Sequence, residues 1–339
     1  MTRLDDGALA GLRRALAEPD LTGTRYELRG ELGRGGTATV YRAYDRLLER
    51  EVALKVLDLP EADPTFGERV LREARILAGL EHPGIVPVHD AGTLPDGRVY
   101  CAMKQVRGER LDIAALALAL HEKLRLFLRV CEAVSFAHAH GVVHRDLKPE
   151  NVMVGPFGEV LVLDWGLARR LDSATWEPES LAGRVGRPVT RGAGRLTGEG
   201  DVLGTPAYMA PEQERGGAMA AGPASDVFAL GGVLEFLLTG RPPVREAAAR
   251  LQAPKPLLAI RDRALAERPG DRYDSAAALA AEIERFLDGR PVEAYRESPA
   301  ERALRFFVRY RGAILLVAAY LLARILLLLF SRGAGQGGG

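Results

Sequence analysis

The chain has 339 residues, 47% of them hydrophobic and 27% charged, which excludes a disordered polypeptide and is long enough for a two-lobed core with additions. Its formal charge of +1 leaves no overall basic field, so nucleic acid is not an expected partner. The 2 cysteines, Cys101 and Cys131, lie among apolar residues on a predicted strand and a predicted helix, and are expected to be buried free thiols in a reducing compartment.

At the start of the chain Asp5 and Asp6 interrupt any early apolar run, so no signal peptide is expected. Residues 1–25 read as a leader with one short helix, Ala8 to Ala17, ended by Pro19. Leu32 to Val40, LGRGGTATV, then places Gly33, Gly35 and Gly36 where a backbone can approach an anion with no side chain in the way. A dinucleotide fingerprint would need a helix opening at these glycines, whereas Thr39 to Tyr44 is β-branched and aromatic, so the turn joins two strands. Taken alone, the cluster is equally an ordinary hairpin turn. Lys55 sits in the otherwise apolar strand Val52 to Val56, where by itself it reads as a lysine reaching out to solvent. Phe66, Val70, Ala74, Leu77 and Leu80 fall at helical spacing, with Glu73 beside that stripe as either a solvated carboxylate or a partner for Lys55. Tyr100 to Val106 reads as a strand running up to Gly108.

A long helix beginning near His121 ends at His138 and His140, and no fourth ligand or cysteine cluster joins these and His144 in a metal-binding pattern. The most informative segment follows. His144 to Asn151 reads HRDLKPEN, and a short alternating apolar stretch leads from it to Asp164-Trp165-Gly166. An aspartate, a lysine, an asparagine and a second aspartate thus fall within 21 residues without a sustained helical period, an arrangement with little structural reason to exist. Such a set suits phosphoryl transfer, where protein supplies positioning and electrostatics and little covalent chemistry. Arg169 to Leu203 is rich in Arg and Gly, has no periodicity and is expected to be a long mobile loop.

The order of glycine-rich hairpin, VALK, helix glutamate, HRDLKPEN, DWG and Ala210-Pro211-Glu212 resembles the protein kinase family, specifically the eukaryotic-like (Hanks-type) serine/threonine kinases of bacteria, over about residues 26 to 289. The resemblance implies that Lys55 contacts the α and β phosphates of ATP and pairs with Glu73, that Asp146 orients the substrate hydroxyl, and that Lys148 neutralises the transferring phosphate. It implies Asn151 and Asp164 as ligands of Mg2+, with Mn2+ as a substitute. The implied nucleotide pocket comprises Gly33, Arg34, Gly35, Gly36, Val40, Ala53, Lys55, Met103, Lys104, Val106 and Met153, with Lys104-Gln105-Val106 as the hinge for adenine. Arg145 marks a subclass whose activation segment is ordered by phosphorylation. Ser173, Thr175, Thr190, Thr197 and Thr205 are the candidate acceptors there. Lys148 and Thr205 resemble serine/threonine rather than tyrosine kinases, Asp226 resembles the buried aspartate that steadies the catalytic loop, and Arg272 resembles the partner of Glu212. Three features depart from the family: Ala38 in place of the third glycine, Trp165 in place of phenylalanine, and the lengthened segment after it. The stretch between Arg241 and Ile260 is also short, which would reduce the docking surface for substrates.

Beyond the resemblance, Gly312 to Phe330 is a 19-residue stretch with one charge, about 28 Å long as a helix, enough for the hydrocarbon core of a bilayer. Its 12 Leu, Ile, Val and Phe residues offer roughly −4 to −7 kcal/mol against about +3 for Arg324, so insertion is expected. Arg302, Arg305, Arg309 and Arg311 precede the stretch and only Arg332 follows, which predicts a single-pass helix with the kinase lobes in the cytoplasm and arginines at anionic lipid headgroups. Ala319 and Ala323, four apart, allow a second copy's helix to approach, so dimerisation stays open. Gly333 to Gly339 reads as a flexible tail without room for a sensor, so input is expected through the membrane helix, the cytoplasmic side or a partner.

The sequence therefore predicts an α+β bilobal fold: leader 1–25, small β-rich N-lobe 26–106, larger helical C-lobe 107–289, basic juxtamembrane segment 290–311, transmembrane helix 312–330 and glycine-rich tail 331–339. The expected function is a membrane-anchored serine/threonine kinase that autophosphorylates, acts in signalling, and takes ATP and protein hydroxyls as substrates. Two alternatives share the architecture. One is a pseudokinase scaffold, kept open by Ala38 and Trp165; the other is a small-molecule or lipid kinase, opposed by Thr205 and the Ala210-Pro211-Glu212 motif.

Overall fold

The computed structural model describes residues 18–35, 38–57, 71, 74–165, 206–216, 222–243 and 253–334, with no side-chain description at 206, 216, 304–306, 308, 309, 311, 313 and 326–334. The expected leader helix Ala8 to Ala17, Gly36, Glu73, Gly166, the loop 169–203, the five candidate phosphoacceptors, residues 244–252 and the end of the tail lie outside the described residues.

Five antiparallel strands build the smaller lobe: β1 (Tyr26–Arg34), β2 (Ala38–Asp45), β3 (Arg50–Leu57), β4 (Val88–Thr93) and β5 (Val99–Lys104), in the order β1-β2-β3-β5-β4. Alternation along β2 and β3 splits their side chains between two faces. One face carries Tyr41, Ala43, Val52, Leu54, Val56 and Ala102 into the lobe's own core. On the other, the register pairs Val40 with Lys55 and Lys55 with Cys101, and Ala53 with Met103. Directly opposed residues share a face, so Val40, Ala53, Lys55 and Met103 all look toward the second lobe. The chain before β1 is strapped to the outside of this sheet: Asp20 N donates to Asp96 Oδ2 at 2.9 Å, and Arg25 reaches Asp45 at 3.4 Å and Asp90 at 3.1 Å.

The expected strand Tyr100 to Val106 is two residues shorter at its end: β5 stops at Lys104, which still pairs with Val52 and donates its N–H to Pro87 O at 3.0 Å. From the expected helix Phe66 to Leu80, Leu71 and residues 74–78 are described as helical.

The larger lobe is helical. Among the described residues its helices are α1 (Leu111–Ala114), α2 (Leu120–Ala139), α3 (Pro211–Gly216), α4 (Pro223–Thr239), α5 (Lys255–Ala264) and α6 (Ala276–Leu287). Leu124, Phe127, Cys131 and Val134 recur at three- and four-residue steps along α2 and are buried. Helix α4 is buried on nearly every side and ends at Gly240, which takes the left-handed conformation with φ 72°. Ser275 caps α6 by accepting from Ala278 N at 3.1 Å. A three-stranded sheet, β6 (Glu109–Arg110), β7 (Val152–Val154) and β8 (Val160–Val162), lies at the lobe junction. Val162 N donates to Gly84 O at 2.8 Å, so β8 holds the segment leading into β4.

The last helix, α7 (Pro299–Ala334), is continuous over 36 residues. Along it Leu315, Leu316, Val317, Tyr320, Leu321, Leu322 and Ile325 are exposed. Among the described residues no helix is long and apolar enough to cross a membrane, and the side chains of 326–330 in the expected span lie outside them.

The turn from the small lobe into the large one depends on Gly108. Its φ is 154°, and a Cβ there would lie 2.3 Å from Val154 O. Gly108→Ala is expected to destabilise the protein by on the order of 2–3 kcal/mol through combined clash and backbone strain. Chemical denaturation checks this, and an unchanged midpoint would contradict it.

Candidate active site

The segment between α2 and β7 carries most of the charged set. It is held from beneath by Asp226, fully buried in the first turn of α4. Asp226 Oδ2 accepts from His144 N at 2.7 Å, and Oδ1 accepts from Arg145 N at 2.8 Å. His138 Nε2 also lies 2.8 Å from Oδ2. A buried carboxylate needs such partners, and α4's N-terminus adds a favourable dipole. The buried imidazole of His144 reaches forward to Leu163 O at 2.8 Å, beside Asp164.

Above this base the polar groups converge. Lys148 Nζ lies 3.2 Å from Asp146 Oδ2, and Asn151 Nδ2 donates to Asp146 O at 2.7 Å. Leu163 N donates to Asn151 O at 2.8 Å, joining the two halves of the loop. Lys55, buried on β3, crosses between the lobes to Asp164 Oδ1 at 2.8 Å. Burial pushes the Asp164 carboxyl up, but Lys55, His144 and Lys148 pull harder and leave it below the usual carboxylate range. Lys148 thus touches Asp146 and acts on Asp164, so the two aspartates share one electrostatic neighbourhood.

Arg145 and Asp164 adopt φ of 69° and 56°, left-handed conformations that side-chain-bearing residues rarely take. Two such residues flanking the same cluster mark it as a place where strain is tolerated for geometry. Trp165 fits: it is buried, donates from Nε1 to Val162 O at 3.0 Å, and lies 4.9 Å from the His144 ring.

The expected pocket residues divide. Val40, Ala53 and Met103 share the Lys55 face, and half-buried Met153 on β7 pairs with Arg110 and Leu161. Gly33, Arg34 and Gly35 are exposed at the end of the β1–β2 hairpin, with Arg34 paired to Glu31 at 3.1 Å. The Lys104 side chain is exposed and Val106 is half-buried just beyond β5, so Lys104 can meet a ligand in the cleft through its backbone. His138 and His140 part company, since His140 stacks on Phe136 at 4.3 Å. Both thiols are buried, and burial pushes Cys101 up to about 12. Sequence reasoning did not find the His138 contact to Asp226, nor that of Gln213, whose Nε2 donates to Arg145 O at 3.0 Å. Both join residues more than sixty positions apart, with no periodicity to signal them.

The donor set suits a hard cation. Asn151 engages its amide nitrogen with Asp146, which leaves Oδ1, and Asp164 supplies a carboxylate that solvent still reaches.

Below the loop, Arg272 is buried and engages all five guanidinium N–H groups. Nε donates to Ala266 O, Nη1 to Ala224 O and Glu212 Oε1, and Nη2 to Glu267 O and Glu212 Oε2, at 2.8 to 3.1 Å. Ser225 Oγ adds a bond to Glu212 Oε1 at 2.7 Å.

Comparison with known proteins finds a match to the protein kinase domain family over residues 26–286. The serine/threonine-protein kinase PknD of Protochlamydia amoebophila is 33% identical over 308 residues, covering 78% of this chain and 30% of that protein. The serine/threonine-protein kinase PknB of Mycolicibacterium smegmatis is 36% identical over 304 residues, covering 82% and 45%. This chain therefore spans less than half the length of these curated relatives. Among solved structures, the Mycobacterium tuberculosis PknI kinase domain superposes with a TM-score of 0.57 at 28% identity, covering 79% of this chain and 98% of that one.

The Glu212–Arg272 pair carries a pH signature. Burial alone would raise the Glu212 carboxyl, but Arg272 and Ser225 overcome it and bring it from 4.5 down to about 2. A depressed carboxylate adds stability that is complete above about 4.5 and disappears as pH falls through about 2. Unfolding free energy between pH 5 and 2 should fall more steeply in the wild type than in Glu212→Gln; parallel curves would show that the pair is not responsible.

Proposed function

This chain belongs to the protein kinase domain family, and we propose that it transfers the γ-phosphate of ATP to serine and threonine hydroxyls of proteins. The observation that carries this reading is the Lys55 to Asp164 contact across the lobes, with Asp146 and Lys148 directly alongside. Lys55 reaches the cleft from a buried strand position, where it is suited to hold the α and β phosphates. Asp146 accepts the proton of the attacking hydroxyl or orients it, and Lys148 stands beside it to offset charge gathering on the transferring group. Asn151 and Asp164 hold magnesium, which when bound neutralises charge on the β and γ phosphates. Val40, Ala53, Met103 and Met153 give the adenine an apolar seat near the strand end at Lys104. Glu73 is the proposed partner of Lys55. The serine/threonine preference rests on Lys148 and on the relatives' names, and autophosphorylation and a signalling role come from the same likeness.

The reading extends to a membrane anchor. The described part of the 312–330 stretch exposes Leu, Val, Tyr and Ile side chains all round the helix, a surface water disfavours and lipid accepts. The basic residues before it favour lobes on the cytoplasmic side.

Two experiments test these statements. Full-length protein in detergent, given labelled ATP and magnesium with casein as a generic acceptor, should place label on serine or threonine. Asp146→Asn and Lys55→Met should each lower this rate by at least about 100-fold; retained label in Asp146→Asn would refute the assigned role. The full chain should also stay with membranes after alkaline carbonate extraction, and recovery in the soluble fraction would refute the anchor.

A further inference from the structure

We infer that Gln213 is a positioning residue for Asp146: it fixes the peptide group through which Asp146 is attached to the strained residue before it. The inference rests on the kinase reading above for the role of Asp146, and on geometry for the rest.

Gln213 belongs to α3, in the segment after the Ala210-Pro211-Glu212 motif, and its side chain is buried with both polar ends engaged. Oε1 accepts from Ala210 N at 3.2 Å, and Nε2 donates to Arg145 O at 3.0 Å. That oxygen belongs to the peptide unit joining Arg145 to Asp146. The other side of the same unit, the N–H of Asp146, points to His144 Nδ1 at 3.3 Å. One residue earlier the Arg145 N–H is held by Asp226 at 2.8 Å. Arg145 is therefore gripped at its nitrogen from α4 and at its carbonyl from α3, and between the two grips its φ is 69°.

A residue with a Cβ does not rest at that φ without restraint. Asp226 fixes one end of the distortion, but it does not set the rotation of the next peptide plane, on which the direction of the Asp146 side chain depends. Gln213 restrains that plane at its carbonyl, opposite the His144 contact to the Asp146 N–H. The chemistry also selects the residue type. A carboxylate of the same shape could serve Ala210 N but has no proton to give Arg145 O, and a thioether serves neither. An amide does both, and so links the order of the segment after Pro206 to the aim of Asp146.

The test uses the full chain in detergent with casein and magnesium ATP, comparing Gln213→Ala, Gln213→Glu and Gln213→Met with wild type. A shift of about 1 Å in a catalytic group costs on the order of 100-fold in rate, so kcat should fall roughly 10- to 100-fold in all three. KM for ATP and the Kd for magnesium ADP should stay within about 3-fold, because Lys55 and Asp164 do not depend on Gln213. In Gln213→Glu the kcat ratio to wild type should rise as pH is lowered, since a protonated carboxyl regains the donor. An unchanged kcat in folded Gln213→Ala, or a parallel loss of kcat and nucleotide affinity, would overturn the inference. Should the alanine variant not fold, the shape-matched Glu and Met variants decide. A crystal structure of Gln213→Met adds an arm independent of turnover: an Arg145 carbonyl and Asp146 carboxylate in their original places would overturn the inference. Absence of label in the wild type would instead sink the kinase reading.

Discussion

A single buried carboxylate organises this molecule. Asp226 sits in an apolar helix, where an unpaired charge costs several kcal/mol, and it is tolerated because backbone N–H groups of His144 and Arg145 and the ring of His138 saturate its oxygens. The arrangement works in both directions. The loop satisfies the carboxylate, and the carboxylate forces the loop into a shape it would not adopt alone, with Arg145 left-handed and the next residues directed into the cleft. Helix α4 can do this because it is packed on nearly all sides and so has little freedom to yield.

Against that fixed floor the small lobe contributes one charge by strand alternation. In β3 every second residue turns toward the cleft, so the same period that buries Val52, Leu54 and Val56 in the lobe's core delivers Ala53 and Lys55 to the opposite face. A slip of one residue would bury the Lys55 ammonium in the core. The apolar pattern of VALKV thus protects the placement of the lysine, and the contact with Asp164 at 2.8 Å is its outcome.

This explains which features were legible in the chain. The strands either side of the glycine turn, the long helix ending at His138 and His140, and the grouping of Asp146, Lys148, Asn151 and Asp164 are written in short-range spacing and motif order. The end of β5 was not legible, because its last bond, from Lys104 N to Pro87 O, joins residues seventeen positions apart that no local pattern links. The same holds for His138 with Asp226, and for Asp20, which meets Asp96 from far up the chain. Trp165 shows a different limit. Its size could be read from the sequence, but whether the junction had room depended on Val162 O accepting the indole N–H beside the Val86 N–H and on His144 lying alongside.

Among the described residues, Glu301 ties the last helix to the large lobe. Ser298 and Glu301 form a capping box, each bonding the other's backbone N–H, and the same carboxylate receives Tyr295 OH at 3.0 Å and Lys255 Nζ at 3.0 Å. The first turn of α7 is therefore attached to the start of α5 and to the chain just before it. An uninterrupted helix keeps a direction set at its first turn, and Gly312 lies thirteen positions after Pro299, about 20 Å along the axis. The proposed anchor in the 312–330 stretch would therefore lie about that far from the lobe along a stiff helix that starts at Glu301, rather than on a loose tether.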